Sequence, residues 1–297
     1  MKKQALSMKT TGSRSLRMST EEPASPVEIP KTTISQAMAR SNPGRSWFKC
    51  KTIGIGSMAG QESLPNSIFE SLVDTNDKWI SKRTGIRNRH VIKEGSSLKD
   101  LAIESAKQAL ESSGVAGEDI DLVIYASSTP DDLFGDAPGI AMAIGASKAA
   151  AFDLTAACSG FVYGMVTASQ FLHSGTYKKV LVVGGDALTR YLDWTDRGTC
   201  ILFGDGSGAV VMEATDSAEE SGMLGFALHS DGTRGCNLRL PYNNKFEALS
   251  NEAGSVVDQG SYGKMYMNGA EVYKFAVSEV PVVIAEALKN SVCRLGI

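Results

Sequence analysis

The chain has 297 residues, 42% of them apolar and 21% charged, with 30 basic against 33 acidic side chains and a formal charge of −3. That balance gives no reason to expect a nucleic-acid partner, and no apolar run approaches the roughly 20 residues that span a bilayer, so the chain is read as soluble, without membrane insertion. The length suffices for one large domain or two ordinary ones.

Residues 1–46 stand apart. Lys2, Lys3, Lys9, Arg14 and Arg17 precede any acid and lie among Ser7, Ser13, Ser15 and Ser19. This is the basic, hydroxyl-rich composition of an organelle transit segment, without the apolar core of a secretory signal, and it predicts a disordered leader. Regular patterning begins near Phe48 with "KCKTIGIGS", a short strand ending in glycines. The stretch "GIGSMAG" (54–60), with Asp74 beyond it, has the outline of a dinucleotide fingerprint. It is rejected, because "QESLPNS" with Pro65 does not open an amphipathic helix. "DTNDKWISKRTGIRNRH" (74–90) is expected as a loop. Trp79 offers an aromatic face, and Arg83, Arg87 and Arg89 offer guanidinium forks suited to a nucleotide-bearing ligand; a solvated basic turn is the alternative.

Next, "SSLKDLAIESAKQALESSG" (96–114) places Leu98, Leu101, Ala102, Ala106, Ala109 and Leu110 on one helical face, with a serine-rich start and Gly114 as stop. "DLVIYASST" (121–129), "AAAFDLTAA" (149–157), "KKVLVVGG" (178–185) and "TCILFGD" (199–205) read as buried strands. "GDGSG" (204–208) reads as a tight turn between two strands. Strands alternating with helices predict an α/β fold with a largely parallel sheet covered on both faces. After Glu213 the pattern restarts, with "GMLGFALHSDG" (222–232) as a strand and 268–290 as a helix kinked by Pro281. The domains are therefore read as 47–215 and a shorter, partial second copy, 216–297.

The cysteines, Cys50, Cys158, Cys200, Cys236 and Cys293, lie far apart without a CxxC pair or a nearby histidine. That argues against a zinc site and a disulfide framework, and for a reducing compartment. Cys158 follows the strand "AFDLTAA" and precedes Phe161, Val162, Met165, Val166, Ser169 and Leu172 at helical spacing. A thiol at a strand-to-helix turn meets the helix's free N–H groups and positive dipole end, which favour the nucleophilic thiolate. Its small neighbours Ala156, Ala157, Ser159 and Gly160 let a substrate come close. A buried structural cysteine is the alternative. His173 lies near a helix end, and His90 and His229 are expected in polar turns; none pairs with Cys158 from sequence.

The stretches "DTNDKWISKRTGIRNRH", "STPDDLFGDAP", "AFDLTAACSGF", "YLDWTDRGTCILFGDGSGA" and "MNGAEVYKFAV", in this order from about residue 50 to 290, resemble β-ketoacyl-acyl-carrier-protein synthase III. That is the thiolase-fold enzyme family that starts type II fatty-acid synthesis in bacteria and plastids, and the wording is closer to the plastid form. The resemblance implies a thiolase-like layered αβαβα fold, its first half complete and its second half-repeat incomplete. It implies an acyltransferase that condenses acetyl-CoA with malonyl-acyl-carrier protein through acyl-Cys158, giving acetoacetyl-acyl-carrier protein and CO2. Trp79 and Arg197 would hold the adenine of coenzyme A, with Thr75, Arg83, Met267, Gly269 and Tyr273 along its path. Phe134 would reach the partner's acyl pocket in a homodimer, and Lys274 would meet the acidic acyl carrier protein. No cofactor or metal is implied beyond these substrates, and the location would be the plastid stroma. The family's His-Gln-Ala-Asn and Gly-Asn-Thr-Ser motifs and its oxyanion loop are expected beyond residue 297, so the alternative is a truncated, non-catalytic homologue that at most binds acyl-CoA or pairs with a full-length subunit.

Overall fold

A computed structural model describes residues 50–216, 222–249 and 254–295, so the transit-like segment 1–46 lies outside the described residues. Strand β1 (Cys50–Ala59) is followed by a small hairpin, β2 (Glu62–Pro65) with β3 (Asn88–Val91). Between them lie the single turn α1 (Asn66–Phe69) and helix α2 (Asp77–Thr84). Helix α3 (Leu98–Ser113), β4 (Leu122–Ala126), α4 (Ala137–Ala143), β5 (Ala150–Leu154), α5 (Gly160–His173) and β6 (Lys179–Ala187) alternate as expected. The turn α6 (Arg197–Cys200) precedes β7 (Asp205–Ala214).

Five strands form one sheet in the order β1-β7-β6-β4-β5. β4 pairs in parallel with β5 and β6, whereas β7 runs antiparallel to both β6 and β1, so the sheet is mixed rather than largely parallel. Its middle strands are buried on both faces, which is why they read as continuous apolar runs. Val123, Tyr125, Leu181, Val183, Ala209 and Val211 pack under α3 and α4. The alternate residues Leu122, Ile124, Val180, Val182, Val210 and Met212 pack under α5 with Ala168 and Leu172.

Local chemistry sets α3 as the sequence predicts. Ser97 Oγ accepts from Asp100 N–H at 3.1 Å, and Asp100 Oδ2 accepts from Ser97 N–H at 2.8 Å. Gly114 ends the helix at φ 69°. The glycines of "GIGS" let this helix lie on the backbone of β1: a Cβ at Gly54 would fall 2.2 Å from Ala109 O, and one at Gly56 2.1 Å from Ser105 O.

Three expectations for single segments of the sheet and its connections are overturned as well. "TCILFGD" is not a strand: Asp196 caps a helical turn by accepting from Gly198 N–H at 2.8 Å. Its apolar residues Cys200 and Ile201 instead join Phe69 and Ile80 in a small core. "GDGSG" is not a turn: from Asp205 on it is the start of β7, and Gly206–Gly208 are paired on both sides, with β1 and with β6. "GMLGFALHSDG" forms no strand; Gly225 packs against a long helix, and Asn290 Nδ2 donates to Phe226 O at 3.1 Å. That helix, α7 (Gly269–Leu295), contains Pro281 within it.

The segment between β7 and the last helix also holds pairings that the sequence does not predict. β8 (Leu238–Arg239), β9 (Tyr242–Asn243) and β10 (Phe246–Ala248) pair antiparallel with β13 (Tyr266–Met267), β12 (Ser261–Tyr262) and β11 (Val256–Asp258), making an interrupted ribbon. Two- and three-residue pairings carry too little periodicity to be recognised.

Candidate functional site

Cys158 sits on a sharp elbow between β5 and α5. Ala157 holds φ 47°, the one positive value among the described non-glycine residues, a conformation costing on the order of 1–3 kcal/mol that the surroundings must hold. Residues 157–159 make a 3-10 turn that runs into α5 at Gly160. The helix descends onto the sheet because its facing residues are small: a Cβ at Gly164 would lie 2.9 Å from Val182 Cγ1. Neighbouring segments pin the elbow. Ser127 N–H donates to Leu154 O at 3.1 Å, and Ser128 Oγ and Thr155 Oγ1 are 3.1 Å apart.

The thiol is exposed and borders an open cavity of ≈ 430 Å³ walled by Ala126, Phe161, Gly184–Asp186 and Gly206–Gly208. The glycine backbones leave room that side chains would fill. Asp186 is the one carboxylate on this wall. Burial raises its pKa, opposed by hydrogen bonds from Ser128 N–H at 2.8 Å and Thr129 Oγ1 at 3.2 Å. It closes the strand run "VVGGD", a position the sequence reading passed over. Burial pushes the Cys50 thiol up to about 11 and the Cys200 thiol upward as well. Cys158 and Cys236 are the exposed free thiols of the described residues. None of the histidines lines the cavity. His90 lies in β3, not a turn, with Nδ1 3.0 Å from Gly60 O. His229 pairs with Glu286 at 2.8 Å, and His173 ends α5.

A second group gathers around Trp79. The stretch 74–90 is not a loop: Asn76 caps α2 by accepting from Trp79 N–H at 2.9 Å, and Gly85 ends it at φ 76°. The guanidinium of Arg197, the first residue of α6, lies 4.9 Å over the Trp79 ring, and its Nη1 donates to Asp74 O at 2.6 Å. Thr75, next to Asp74, has a buried Oγ1 with no hydrogen-bond partner among the described residues. β13, carrying Met267, lies against α6. Gly269 opens α7, where Tyr273 is exposed and Lys274 pairs with Glu271 at 2.6 Å. Arg83 stands in the last turn of α2. Arg89, expected as a ligand-facing fork, is instead buried and bound to Ile201 O and Asn66. Arg197 begins the same short segment whose end, Gly206–Gly208, walls the Cys158 cavity.

Phe134 and its neighbour Leu133 project into solvent from a firmly held loop. The buried Asp136 accepts from Asp131 N–H and from Lys99 Nζ, each at 2.7 Å, and Arg190 pairs with Asp131 at 2.6 Å. β5, beside this loop, is one of the two edge strands of the sheet among the described residues.

The chain is similar to known proteins in sequence and in backbone fold. The family profile for 3-oxoacyl-[acyl-carrier-protein (ACP)] synthase III matches residues 152–232. The β-ketoacyl-[acyl-carrier-protein] synthase III of Acaryochloris marina is 51% identical over 238 residues, 80% of this chain and 70% of that protein. The protein of the same name from Synechococcus sp. (strain WH7803) is likewise 51% identical, over 80% of this chain and 69% of its own length. The crystal structure of 3-oxoacyl-(acyl carrier protein) synthase III from Pseudomonas aeruginosa PAO1 superposes with a TM-score of 0.71 at 36% identity, covering 82% of this chain and 71% of that one. Sequence identity and backbone geometry each extend over about four-fifths of the chain, 80% and 82%, and the chain belongs to the β-ketoacyl-[acyl-carrier-protein] synthase III family of condensing acyltransferases.

Proposed function

We propose that the chain accepts an acetyl-type primer from acetyl-CoA on Cys158 and passes it to malonyl-acyl-carrier protein, giving acetoacetyl-acyl-carrier protein and CO2. The observation that carries this reading is the exposed thiol on a strained elbow, beside a cavity walled by glycine backbone. In the first half-reaction the Cys158 sulfur adds to the thioester carbonyl carbon. A new carbon–sulfur bond forms, the bond to the coenzyme A sulfur breaks, and coenzyme A leaves with the proton shed by the thiol. In the second, malonyl decarboxylation generates the carbon nucleophile, which takes the acyl group and returns the Cys158 thiolate as leaving group.

Trp79 and Arg197 are the proposed adenine holders, with Thr75, Arg83, Met267, Gly269 and Tyr273 along the rest of the coenzyme. Arg197 lies 4.9 Å over Trp79. A base between two planes needs about 7 Å, twice a stacking contact, so coenzyme A would open this pair by about 2 Å. The orphaned Thr75 hydroxyl supports a polar ligand there. The exposed Phe134 and Leu133 beside the edge strand β5 support a homodimer in which Phe134 lines the partner's acyl pocket, with Lys274 among the residues that receive the acyl carrier protein. The composition of residues 1–46 supports plastid delivery, which a reporter fused to residues 1–60 tests by its location.

The test is intact-mass and peptide mapping after incubation with acetyl-CoA. One acetyl group on Cys158, absent from Cys158→Ser and discharged on adding malonyl-carrier protein, is the expected result. Loading of Cys236 instead, or no loading, would overturn the reading.

A further inference from the structure

Arg89 is a charged residue that acyl transfer itself does not use, and its surroundings are unusual. It is 3% exposed, yet no carboxylate is among its hydrogen-bond partners in the described residues. Its Nε donates to Ile201 O at 2.6 Å, Nη2 donates to the same carbonyl, and Nη1 donates to Asn66 Oδ1. The guanidinium carbon lies 4.5 Å over the Phe69 ring. Burying a guanidinium on neutral acceptors alone is unfavourable, so a fold that needed only packing would be served better by an apolar side chain.

Both acceptors lead to the Trp79–Arg197 pair. Ile201 closes the C-terminal end of α6, whose first residue is Arg197. A single turn has little stability of its own, so its orientation depends on what grips its ends: the Asp196 cap at one, Arg89 at the other. Asn66, 1% exposed, turns its Nδ2 toward α2 and donates to Asp77 Oδ1 at 2.8 Å, Ser81 Oγ at 3.2 Å and Ile86 O at 2.9 Å. Trp79 stands between Asp77 and Ser81 on that helix. A continuous path thus runs from Trp79 through α2, Asn66, Arg89 and Ile201 to α6 and Arg197, and the Arg197–Trp79 contact closes it. Phe69, Ile80, Cys200 and Ile201 fill the space inside.

We propose that Arg89 is a positioning residue for the nucleotide clamp, setting the relative placement of Trp79 and Arg197 so that the nucleotide end of an acyl-CoA has only to part the pair, not to assemble it. This rests on the reading of Trp79 and Arg197 as the coenzyme A site. The fork geometry is what counts: a lysine keeps the charge, but one ammonium cannot grip Ile201 O and Asn66 Oδ1 together as the planar guanidinium does.

The experiment is calorimetric titration of coenzyme A into the full chain, Arg89→Lys, Trp79→Ala and the double variant, with Asn66→Ser as a second route to the same contact should Arg89→Lys unfold. Arg89→Lys is expected to weaken binding about tenfold, and to add less than about twofold once Trp79 is gone, because no pair remains to be positioned. The rate of Cys158 alkylation by iodoacetamide should stay unchanged. Unaltered affinity in Arg89→Lys, or a full tenfold loss persisting in the Trp79→Ala background, makes Arg89 a structural residue only and overturns the inference. If Trp79→Ala alone binds coenzyme A as the parent does, the coenzyme site lies elsewhere and the inference falls with that reading.

Discussion

The Cys158 elbow and the Trp79–Arg197 pair rest on different supports. The elbow hangs from β5 and is walled by β6 and β7, strands of a sheet that α3, α4 and α5 cover on both faces. Its shape changes only if that core changes. The pair stands outside the sheet on an eight-residue helix and a single turn, held by a small apolar core and by the hydrogen bonds of Asn66 and Arg89. On the proposed roles, a nucleophile that must not move is built on buried strands, and a gripping pair that would open by about 2 Å is built on short, separately anchored helices.

Four measurements test whether the two regions behave so differently. The largest effect belongs to the proposed nucleophile: Cys158→Ala should lower acetyl loading by at least ~10³-fold, with the urea midpoint unchanged. Parent-like loading of the variant would move the chemistry elsewhere. Next, Gly56→Val drives a branched side chain into the Ser105 carbonyl, where even a Cβ would stand 2.1 Å away. It should destabilise the sheet by about 3 kcal/mol in urea unfolding. Tolerance of the valine would show that α3 can lift from β1 at little cost.

The clamp should respond in binding rather than in rate. Arg197→Lys keeps charge but loses the flat face over Trp79, so the KM for acetyl-CoA should rise about fivefold to tenfold with the loading rate at saturation unchanged. A fall in the saturated rate with unchanged KM would tie the pair to the nucleophile and erase the distinction.

The smallest effects carry opposite signs in the two regions. Burial raises the Asp186 pKa above its ordinary 3.8. The folded state therefore holds that proton longer than the unfolded chain, and stability falls as pH rises from about 3.8 through the raised value. Asp186→Asn should flatten that decline. Asp77 is the reverse: the Asn66 hydrogen bond, then that of Ser81, lowers its pKa below 3.8. Its contribution is present above 3.8 and is lost as pH falls through the lowered value. Asp77→Asn should therefore cost stability near neutrality and nothing in strong acid. Urea unfolding of both variants across that range checks the two slopes, and slopes of the same sign would contradict the assigned environments.

Local chemistry by itself determined the parts of this protein whose causes lie within a few residues. Helix α3 needs only its Ser97–Asp100 box, its apolar stripe and Gly114. The junction at Cys158 needs only an apolar run, four small residues and a helical period, and the β4 and β6 strands need only their apolar runs. The tertiary structure decided whatever depends on a distant partner. "TCILF" is apolar enough for a strand, but Phe69 and Ile80 supply a core for it as a turn. "GDGSG" carries the marks of a turn, yet β1 and β6 on either side hydrogen-bond it into a strand. Arg83, Arg87 and Arg89 are equivalent as letters. Only Arg89 meets Ile201, 112 positions along the chain, and is buried by it. A side chain's local preference is worth a kcal/mol or less, whereas burial and buried hydrogen bonds are worth several, so where the two conflict the distant contact wins.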